Sequence, residues 1–428
     1  MTAATTSDAV APILFVHHAG TNWIRGSTRC LLDLLTHIDR RRFAPVVLCN
    51  QPVILEAVRA LDVRAHEARN WLSPHPLRPD WQWLADVKAL IERHRIRLIH
   101  SDEFTQASVL APAARRARIP LLSQLHQVPT PDERLWSLLH QVDLAVGTTR
   151  ACVTGLLEDG FPANRAIVIY NGVDPIRLAR GDATRLRGEL GIPPDAVVLT
   201  LVGSLIHRKA VDIALRAFAR LRTSADTRLL LCGSGPDRAS LESLAASLGV
   251  EHRTTFLGEC GQAGAVLRDA SDVLVAPSRD ESFGLTLAEA GLFGIPTVAS
   301  DIAAHQEVVG EDAGLLFPVE DVDAMAAALD RMVTDTSLRH RLGDGARRRV
   351  TSMFLIERYV REFEDTYAAL IARPAREYGW RSIRWPHAYN DWIRRAVGRR
   401  LGRFWSPGNG HPSELETGDT NPQSSALR

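Results

Sequence analysis

Short apolar segments rich in β-branched residues alternate with helical patterns along most of this 428-residue chain. The first series of these segments is ILFVH, PVVLC, IRLIH, PLLSQ and DLAVG, which begin at positions 13, 45, 96, 120 and 143. The second series is VVLTLV, RLLLC, TTFLG, DVLVA and PTVAS, which begin at positions 197, 228, 254, 272 and 296. Strands that alternate with helices are typical of parallel, doubly wound sheets. The chain is therefore expected to be an α/β protein with two such sheets.

The two series are separated by IYNGVDPIRLARGD, which begins at Ile169 and contains an Asn-Gly pair, a proline and several charges. These residues are typical of a turn and a linker, so we place a domain boundary near residue 171. The predicted regions are an N-terminal domain over 1–171, a C-terminal domain over 172–353, a helix over 354–372, a basic extension rich in Trp and Arg over 373–405 and a disordered tail over 406–428.

The composition is that of a globular protein, with 45% hydrophobic and 24% charged residues. The formal net charge of +1 gives no global field that would attract nucleic acid. The five cysteines form no CxxC pair and no zinc-like spacing with histidine. This pattern argues against a disulfide or zinc framework and suits a reducing compartment. The N-terminal segment APILFV resembles a buried strand more than a signal peptide, so we expect a cytoplasmic protein.

The segment RDESFGLTLAEAGLFGIP, which begins at Arg279, places Glu281 and Glu289 on either side of a strand-to-helix turn. In open α/β sheets, ligands lie outside the carboxyl ends of the strands, where this turn is expected. Free N–H groups at the helix start attract anions, and Gly284 lets the backbone approach a ligand closely. Glu289 can accept two hydrogen bonds from a diol such as a ribose. Two solvated acids are the simpler explanation of the pair, but its place at a strand–helix junction favours a binding site.

A second strand-to-helix loop, HRKAVD, carries Arg208 and Lys209 immediately before a helix. Cations at a helix N-terminus oppose the helix dipole, so helix stability does not explain them. Fixed cations stabilise the negative charge that develops on a departing diphosphate. We therefore favour a functional role for this pair over a solvated basic loop.

Taken in order, several motifs of the chain resemble the donor-binding signature of glycosyltransferase family 4. The motifs are IYNGVDP, VGSLIHRKAVDIALRAF, LLLCGSGPDRASLESLA, TTFLG and PSRDESFGLTLAEAGLFGIPTVASD. Each is weak alone, but together and in this order they are specific, and the resemblance runs from about residue 13 to residue 370. It implies the GT-B fold, in which two Rossmann-like domains face each other across a cleft, and a C-terminal helix that returns to the N-terminal domain.

The resemblance also assigns roles to residues. Glu289 matches the glutamate that usually holds the ribose of a UDP- or GDP-type donor, and Glu281 matches the one near the donor sugar. His126 matches a histidine that contacts this sugar near the reaction centre. The expected catalytic residues are His126, Glu281, Lys209 and Arg208. The expected donor-binding residues are Gly26, Phe283, Gly284, Leu285, Glu289 and Gly258.

The reaction implied by the resemblance is a retaining sugar transfer that requires neither a metal nor a cofactor. The leaving phosphate itself would deprotonate the acceptor hydroxyl, while the protein positions the substrates and stabilises charge. Asp321 and Asp323 are interpreted as helix-capping acids and not as metal ligands. Two positions depart from the family pattern: Ser204 stands where an arginine is common, and Ala210 where a glycine is common. They motivate an alternative, a non-catalytic nucleotide-sugar-binding protein on the same fold.

The acceptor is expected to be a glycan or a lipid-linked molecule of cell-envelope polysaccharide or glycolipid synthesis. Trp71, Trp81 and Trp83 are candidates for stacking on sugars or lying against lipid, and packing under a long loop is equally consistent with their positions. Asp102 and Glu103 follow a strand toward the predicted cleft, although capping of the next helix explains them as well. The nine arginines and four tryptophans of residues 373–405 predict either peripheral attachment to anionic membrane or packing onto the N-terminal domain.

Overall fold

The computed structural model describes residues 10–18, 24–69, 81–261 and 263–375. All of them belong to one compact unit, residues 1–383. The first sheet has seven parallel strands in the order β3-β2-β1-β4-β5-β6-β7. These strands are β1 (Ala11–His17), β2 (Phe43–Cys49), β3 (Arg64–Glu67), β4 (Leu98–Ser101), β5 (Leu121–Leu125), β6 (Leu144–Gly147) and β7 (Ala166–Val168). Its helices are α1 (Gly26–His37), α2 (Pro52–Ala60), α3 (Trp81–His94), α4 (Ala107–Ala117), α5 (Pro131–Trp136) and α6 (Arg150–Glu158).

Helices cover both faces of this sheet because successive side chains of a strand point in opposite directions. In β1, Leu14 and Val16 pack in one core with side chains of α3 and α4. Ile13 and Phe15 pack in a second core on the other face, with side chains of α1. All four residues are fully buried. A strand that is apolar on both faces is the sequence pattern of a central parallel strand.

The second sheet has six parallel strands in the order β10-β9-β8-β11-β12-β13. They are β8 (Val197–Val202), β9 (Thr227–Cys232), β10 (Thr254–Gly258), β11 (Val273–Ala276), β12 (Thr297–Ser300) and β13 (Gly314–Phe317). The remaining helices are α7 (Pro175–Leu178), α8 (Leu186–Glu189), α9 (Val211–Ala219), α10 (Arg238–Ser247), α11 (Ala263–Ala270), α12 (Leu285–Leu292), α13 (Ala303–Val309), α14 (Val322–Thr334), α15 (Thr336–Met353) and α16 (Ile356–Ala372). Two parallel sheets with intervening helices confirm the predicted α/β class.

The chain passes between the two sheets twice, and the two passages lie side by side. Val173 and Leu355 form a parallel bridge, in which the Val173 N–H donates to the Phe354 carbonyl at 2.7 Å. Beside them, a Cβ at Gly172 would lie 2.8 Å from the Ile356 Cα, so glycine permits this close approach. The second passage then continues into α16, which packs against the first sheet.

Three features differ from the sequence analysis: two edge strands and a disulfide bond. β3 and β7 were not anticipated, because they are short edge strands with exposed or half-buried residues, and backbone pairing defines them. The expectation of no disulfide is wrong: Cys232 at the end of β9 is bonded to Cys260, which follows the adjacent strand β10. Adjacency in the sheet brings them together despite a separation of 28 residues.

The Asp321 side chain accepts a hydrogen bond from the Ala324 N–H at 2.9 Å and so caps α14, as predicted. Among the described residues, no helix combines the length and the apolar character that crossing a membrane requires. Residues 376–428, which include most of the basic extension and the whole predicted tail, lie outside the described residues.

The packing of α16 leads to a stability prediction. Phe363 is fully buried, and its ring centroid lies 5.0 Å from that of Tyr359 and 5.2 Å from that of His100. Phe363→Ala should lower the free energy of unfolding by about 3–5 kcal/mol, because it removes apolar contacts and leaves a cavity. Asp365→Ala, at an exposed site on the same helix, should change it by no more than about 0.5 kcal/mol. Denaturant unfolding of both variants checks this, and equal losses would contradict it.

Candidate active site

The loops that follow the strands of the two sheets meet at one place. Thr149, directly after β6, donates its hydroxyl to the Ser282 carbonyl in the loop after β11 at 2.8 Å. Glu307 on α13 accepts a hydrogen bond from the Arg150 N–H at 2.9 Å and so caps α6. Since ligands bind at the carboxyl ends of parallel strands, the residues around these contacts form the candidate active site.

Glu281 is held between the two predicted cations. Its carboxylate pairs with the Lys209 ammonium and lies 3.1 Å from the Arg208 guanidinium. Burial alone would raise the pKa of Glu281, but the two cations lower it to about 2. Glu281 is therefore ionised at neutral pH, and its carboxylate contacts both the Lys209 ammonium and the Arg208 guanidinium.

Backbone geometry fixes the loop that carries these cations. The Arg279 N–H donates to the Arg208 carbonyl at 2.9 Å, and the Arg208 side chain donates to the Asp280 carbonyl at 2.8 Å. Ala210, the position where the family commonly has glycine, has a φ of 51°. A left-handed backbone costs an L-residue roughly 1–2 kcal/mol, which explains the family preference for glycine here. Ser204 is exposed, and Arg208 occupies the position next to Glu281.

The N-terminus of α12 forms the adjacent part of the site. Gly284 begins the helix with a φ of 83°, a conformation that glycine adopts without steric cost. Phe283 has a buried side chain that packs edge-on against Phe354, so only its backbone is placed to face a ligand. Leu285 meets the first sheet here, because a Cβ at Gly26 would lie 3.2 Å from the Leu285 Cδ1. The two domains therefore touch at Gly26 and Leu285.

Glu289, one turn further along α12, faces an arginine that sequence reasoning did not identify. The Arg177 guanidinium lies 3.4 Å from Glu289 Oε1 and 3.3 Å from Asp33 Oδ2 of α1. Burial raises the pKa of Glu289, and Arg177 offsets only part of this effect. Glu289 is thus at the junction of α12, α7 and α1.

A second cluster lies at the carboxyl ends of β1, β4 and β5. His17 Nδ1 donates to Asp102 Oδ2 at 2.5 Å, and His126 Nε2 donates to Asp102 Oδ1 at 3.2 Å. Burial alone would raise the pKa of Asp102, but the two imidazoles lower it, and the carboxylate in turn raises the pKa of each histidine against the effect of burial. The capping interpretation of Asp102 is not supported, since its carboxylate binds imidazoles. Neighbouring Glu103 is half-buried, and burial raises its pKa.

The remaining candidate residues, a glycine and three tryptophans, lie in different parts of the chain. Gly258 ends β10, two strands away from β8, so it lies at the same edge of the sheet but outside the Glu281 cluster. Trp83 is a core residue, because it is buried and packs beneath the first sheet. Trp81 is 70% exposed and stays a candidate for contact with an acceptor. Trp71 lies outside the described residues.

Sequence reasoning also missed His305, which is buried beside Gly284. The His305 Nδ1 donates to the Ser300 carbonyl at 2.9 Å, and burial lowers the pKa of this imidazole to about 4. His17 ends β1, and His305 follows β12 by five residues. The sequence signal for both is a histidine at the end of a predicted strand or a few residues beyond it.

Comparisons with known proteins agree with this architecture. The family model described as "Glycosyl transferases group 1" matches residues 182–349, and the model described as "Glycosyltransferase Family 4" matches residues 24–177. The solved structure of HepE from Anabaena in complex with UDP and glucose has a TM-score of 0.71 and 22% identity. It covers 84% of this chain and 100% of its own chain. The likeness to this structure establishes the fold.

Two curated relatives are similar in sequence. The D-inositol 3-phosphate glycosyltransferase of Salinispora arenicola is 32% identical over 311 residues, which are 64% of this chain and 69% of the relative. The N-acetyl-alpha-D-glucosaminyl L-malate synthase of Bacillus anthracis is 27% identical over 288 residues, which are 64% of this chain and 75% of the relative.

The His17–Asp102–His126 cluster leads to a prediction about proton affinity. Asp102→Asn should lower the pKa of both histidines by roughly 1–3 units, because it removes the carboxylate that stabilises the imidazolium. Histidine ring resonances followed by NMR across pH 4–9 check this, with His17→Gln and His126→Gln used to assign the signals. The matched control is Asp132→Asn on exposed α5, which should leave both values unchanged. Unchanged values in Asp102→Asn would contradict the described contacts.

Proposed function

Because this chain belongs to the group 1 glycosyltransferases and has their GT-B architecture, we propose that it is a retaining, metal-independent enzyme. In this proposal it moves a sugar from a UDP- or GDP-type nucleotide sugar to a hydroxyl group of a glycan or lipid-linked acceptor. The observation that carries the proposal is the pairing of Glu281 with Lys209 and Arg208 beside the N-terminus of α12.

The charges of this cluster suit a diphosphate. Two fixed cations surround one carboxylate, so the three groups together carry one positive charge, and Glu281 precedes the N-terminus of α12 in the same loop. Both features attract an anion. Glu289 lies further along the same helix, where it would accept hydrogen bonds from the ribose hydroxyls. The donor would therefore extend along α12, with its sugar near Glu281 and His126.

The proposed reaction is a same-face substitution. The bond between the anomeric carbon and the diphosphate oxygen breaks, and the electron pair leaves with the diphosphate. The acceptor oxygen bonds to the anomeric carbon from the same face, and its proton moves to the leaving phosphate oxygen. Lys209 and Arg208 stabilise the charge on the phosphate, so no metal is needed for this role. Glu281, ionised at neutral pH, accepts hydrogen bonds from sugar hydroxyls and does not act as an acid.

The acceptor of the sugar is proposed to lie at the membrane surface. We infer a hydroxyl of a cell-envelope glycan or glycolipid precursor, made in the cytoplasm at the inner face of the membrane. The arginines and tryptophans of residues 373–405 support peripheral attachment to anionic lipid. Co-sedimentation of the full chain with anionic and neutral liposomes tests this attachment, and equal recovery with both would exclude it.

A screen of nucleotide sugars tests the catalytic proposal. We expect one UDP- or GDP-sugar to be consumed, slowly by hydrolysis and faster with a suitable acceptor. The anomeric proton of the product, observed by NMR, should report the configuration of the donor. An inverted product would exclude retention. Nucleotide binding without turnover of any donor would favour the alternative, a non-catalytic binding protein.

Lys209→Ala should lower kcat by roughly 100-fold or more while KM for the donor changes less, because the charge of Lys209 acts mainly as the diphosphate departs. Steady-state kinetics with the active donor check this. Lys88→Ala is the matched control, since Lys88 is an exposed lysine on α3 that pairs with Glu92 at 3.6 Å. An effect on KM alone would place Lys209 in ground-state binding and contradict the proposed role.

A further inference from the structure

The segment after the first passage between the sheets holds Arg177 in a fixed place. Asp174 caps the short helix α7 by accepting hydrogen bonds from the Ile176 and Arg177 N–H groups, at 2.8 Å and 3.2 Å. The second carboxylate oxygen of Asp174 lies 3.1 Å from His37 Nε2 at the end of α1. The backbone of α7 is thus tied to α1, and the Arg177 side chain extends from this point toward α12.

The guanidinium of Arg177 lies between two buried carboxylates. Its side chain is 23% exposed, whereas those of Asp33 and Glu289 are 7% and 13% exposed. Arg177 is the guanidinium that pairs with both acids, and Coulomb interactions are strong where water is excluded. From α1, Glu289 is also faced by Arg29, whose charge stabilises the carboxylate, and by the buried thiol of Cys30.

We propose that Arg177 is a positioning residue of the donor site. Its guanidinium keeps Glu289 ionised and oriented toward the ribose, and the negative charge of Asp33 opposes this effect on Glu289. This inference rests on the proposed function, because it assigns the ribose to Glu289. The contact uses Oε1 of Glu289, so Oε2 and one lone pair of Oε1 stay available for hydroxyl donors. A protonated Glu289 would lose acceptor capacity and bind the ribose less tightly.

The contacts of Arg177 also join elements of the two domains. Asp33 and Gly26 belong to α1 of the first domain, whereas Glu289 and Leu285 belong to α12 of the second. Gly26 approaches Leu285 at one end of this helix pair, and Arg177 joins Asp33 to Glu289 further along. Arg177 thus contacts carboxylates of both domains.

The test measures UDP and GDP affinity by calorimetry between pH 4.5 and pH 9, for the full chain and four variants. In the wild type, affinity should fall as pH decreases through the raised pKa of Glu289. Arg177→Met should move this midpoint to higher pH by roughly 1–3 units, because it removes the cation that favours the carboxylate. Asp33→Asn should move it to lower pH, because it removes the opposing negative charge.

Two further variants serve as controls. Glu289→Gln should bind weakly at every pH and show only the pH dependence of the nucleotide phosphate, which is common to all variants. Arg216→Met, at an exposed site on α9, should match the wild type. If Arg177→Met and Asp33→Asn weaken binding by the same factor at all pH values, Arg177 has a merely structural role and the inference is wrong. If the wild type binds neither UDP nor GDP, the proposed function itself fails, and this inference fails with it.

Discussion

A carboxylate removed from water must be compensated by cations or N–H donors, because an unpaired buried charge costs several kcal/mol. Among the described residues, Asp102 and Glu281 meet that requirement at the carboxyl ends of the strands, and Glu289 meets it in part. Asp102 is bound by two imidazoles, Glu281 by an ammonium and a guanidinium, and Glu289 by one guanidinium shared with Asp33. Each of the three is thereby held in one orientation without a ligand. Preorganised charge of this kind is a major contribution to enzymatic stabilisation of a departing anion.

The parallel sheets position these three carboxylates in different ways. Parallel strands place all their carboxyl ends at one edge, so residues distant in sequence meet there. Lys209 follows β8 and Glu281 follows β11, which are neighbours in the second sheet. Glu289 lies close to the first domain as well, because its neighbour Arg177 also pairs with Asp33 of α1. The two passages between the domains are adjacent at Val173 and Leu355.

The sequence predicted the α/β class and the central strands and singled out Glu281, Lys209 and Arg208 as candidates, because these depend on local patterns and on motifs with fixed spacing. It did not predict β3 or β7, since edge strands with polar residues lack an apolar pattern. Nor did it predict the Cys232–Cys260 bond or the His17–Asp102–His126 cluster. These contacts depend on which strands are neighbours in each sheet. The order of the strands follows from the crossover connections of the chain, and composition does not specify it. The sequence left two explanations of Trp83 open, and its burial in the core agrees with packing and not with contact to an acceptor.

In the proposed enzyme, one nucleotide-sugar site spans α12, with the ribose at Glu289 and the diphosphate at the helix start beside Lys209. A crystal structure of the full chain with bound UDP or GDP tests it most directly. We expect both ribose hydroxyls within hydrogen-bond distance of the Glu289 carboxylate. The phosphate oxygens should lie at the Gly284–Leu285 backbone and the Lys209 ammonium. A nucleotide bound away from α12, or bound along α12 with its ribose distant from Glu289, would contradict the proposed site.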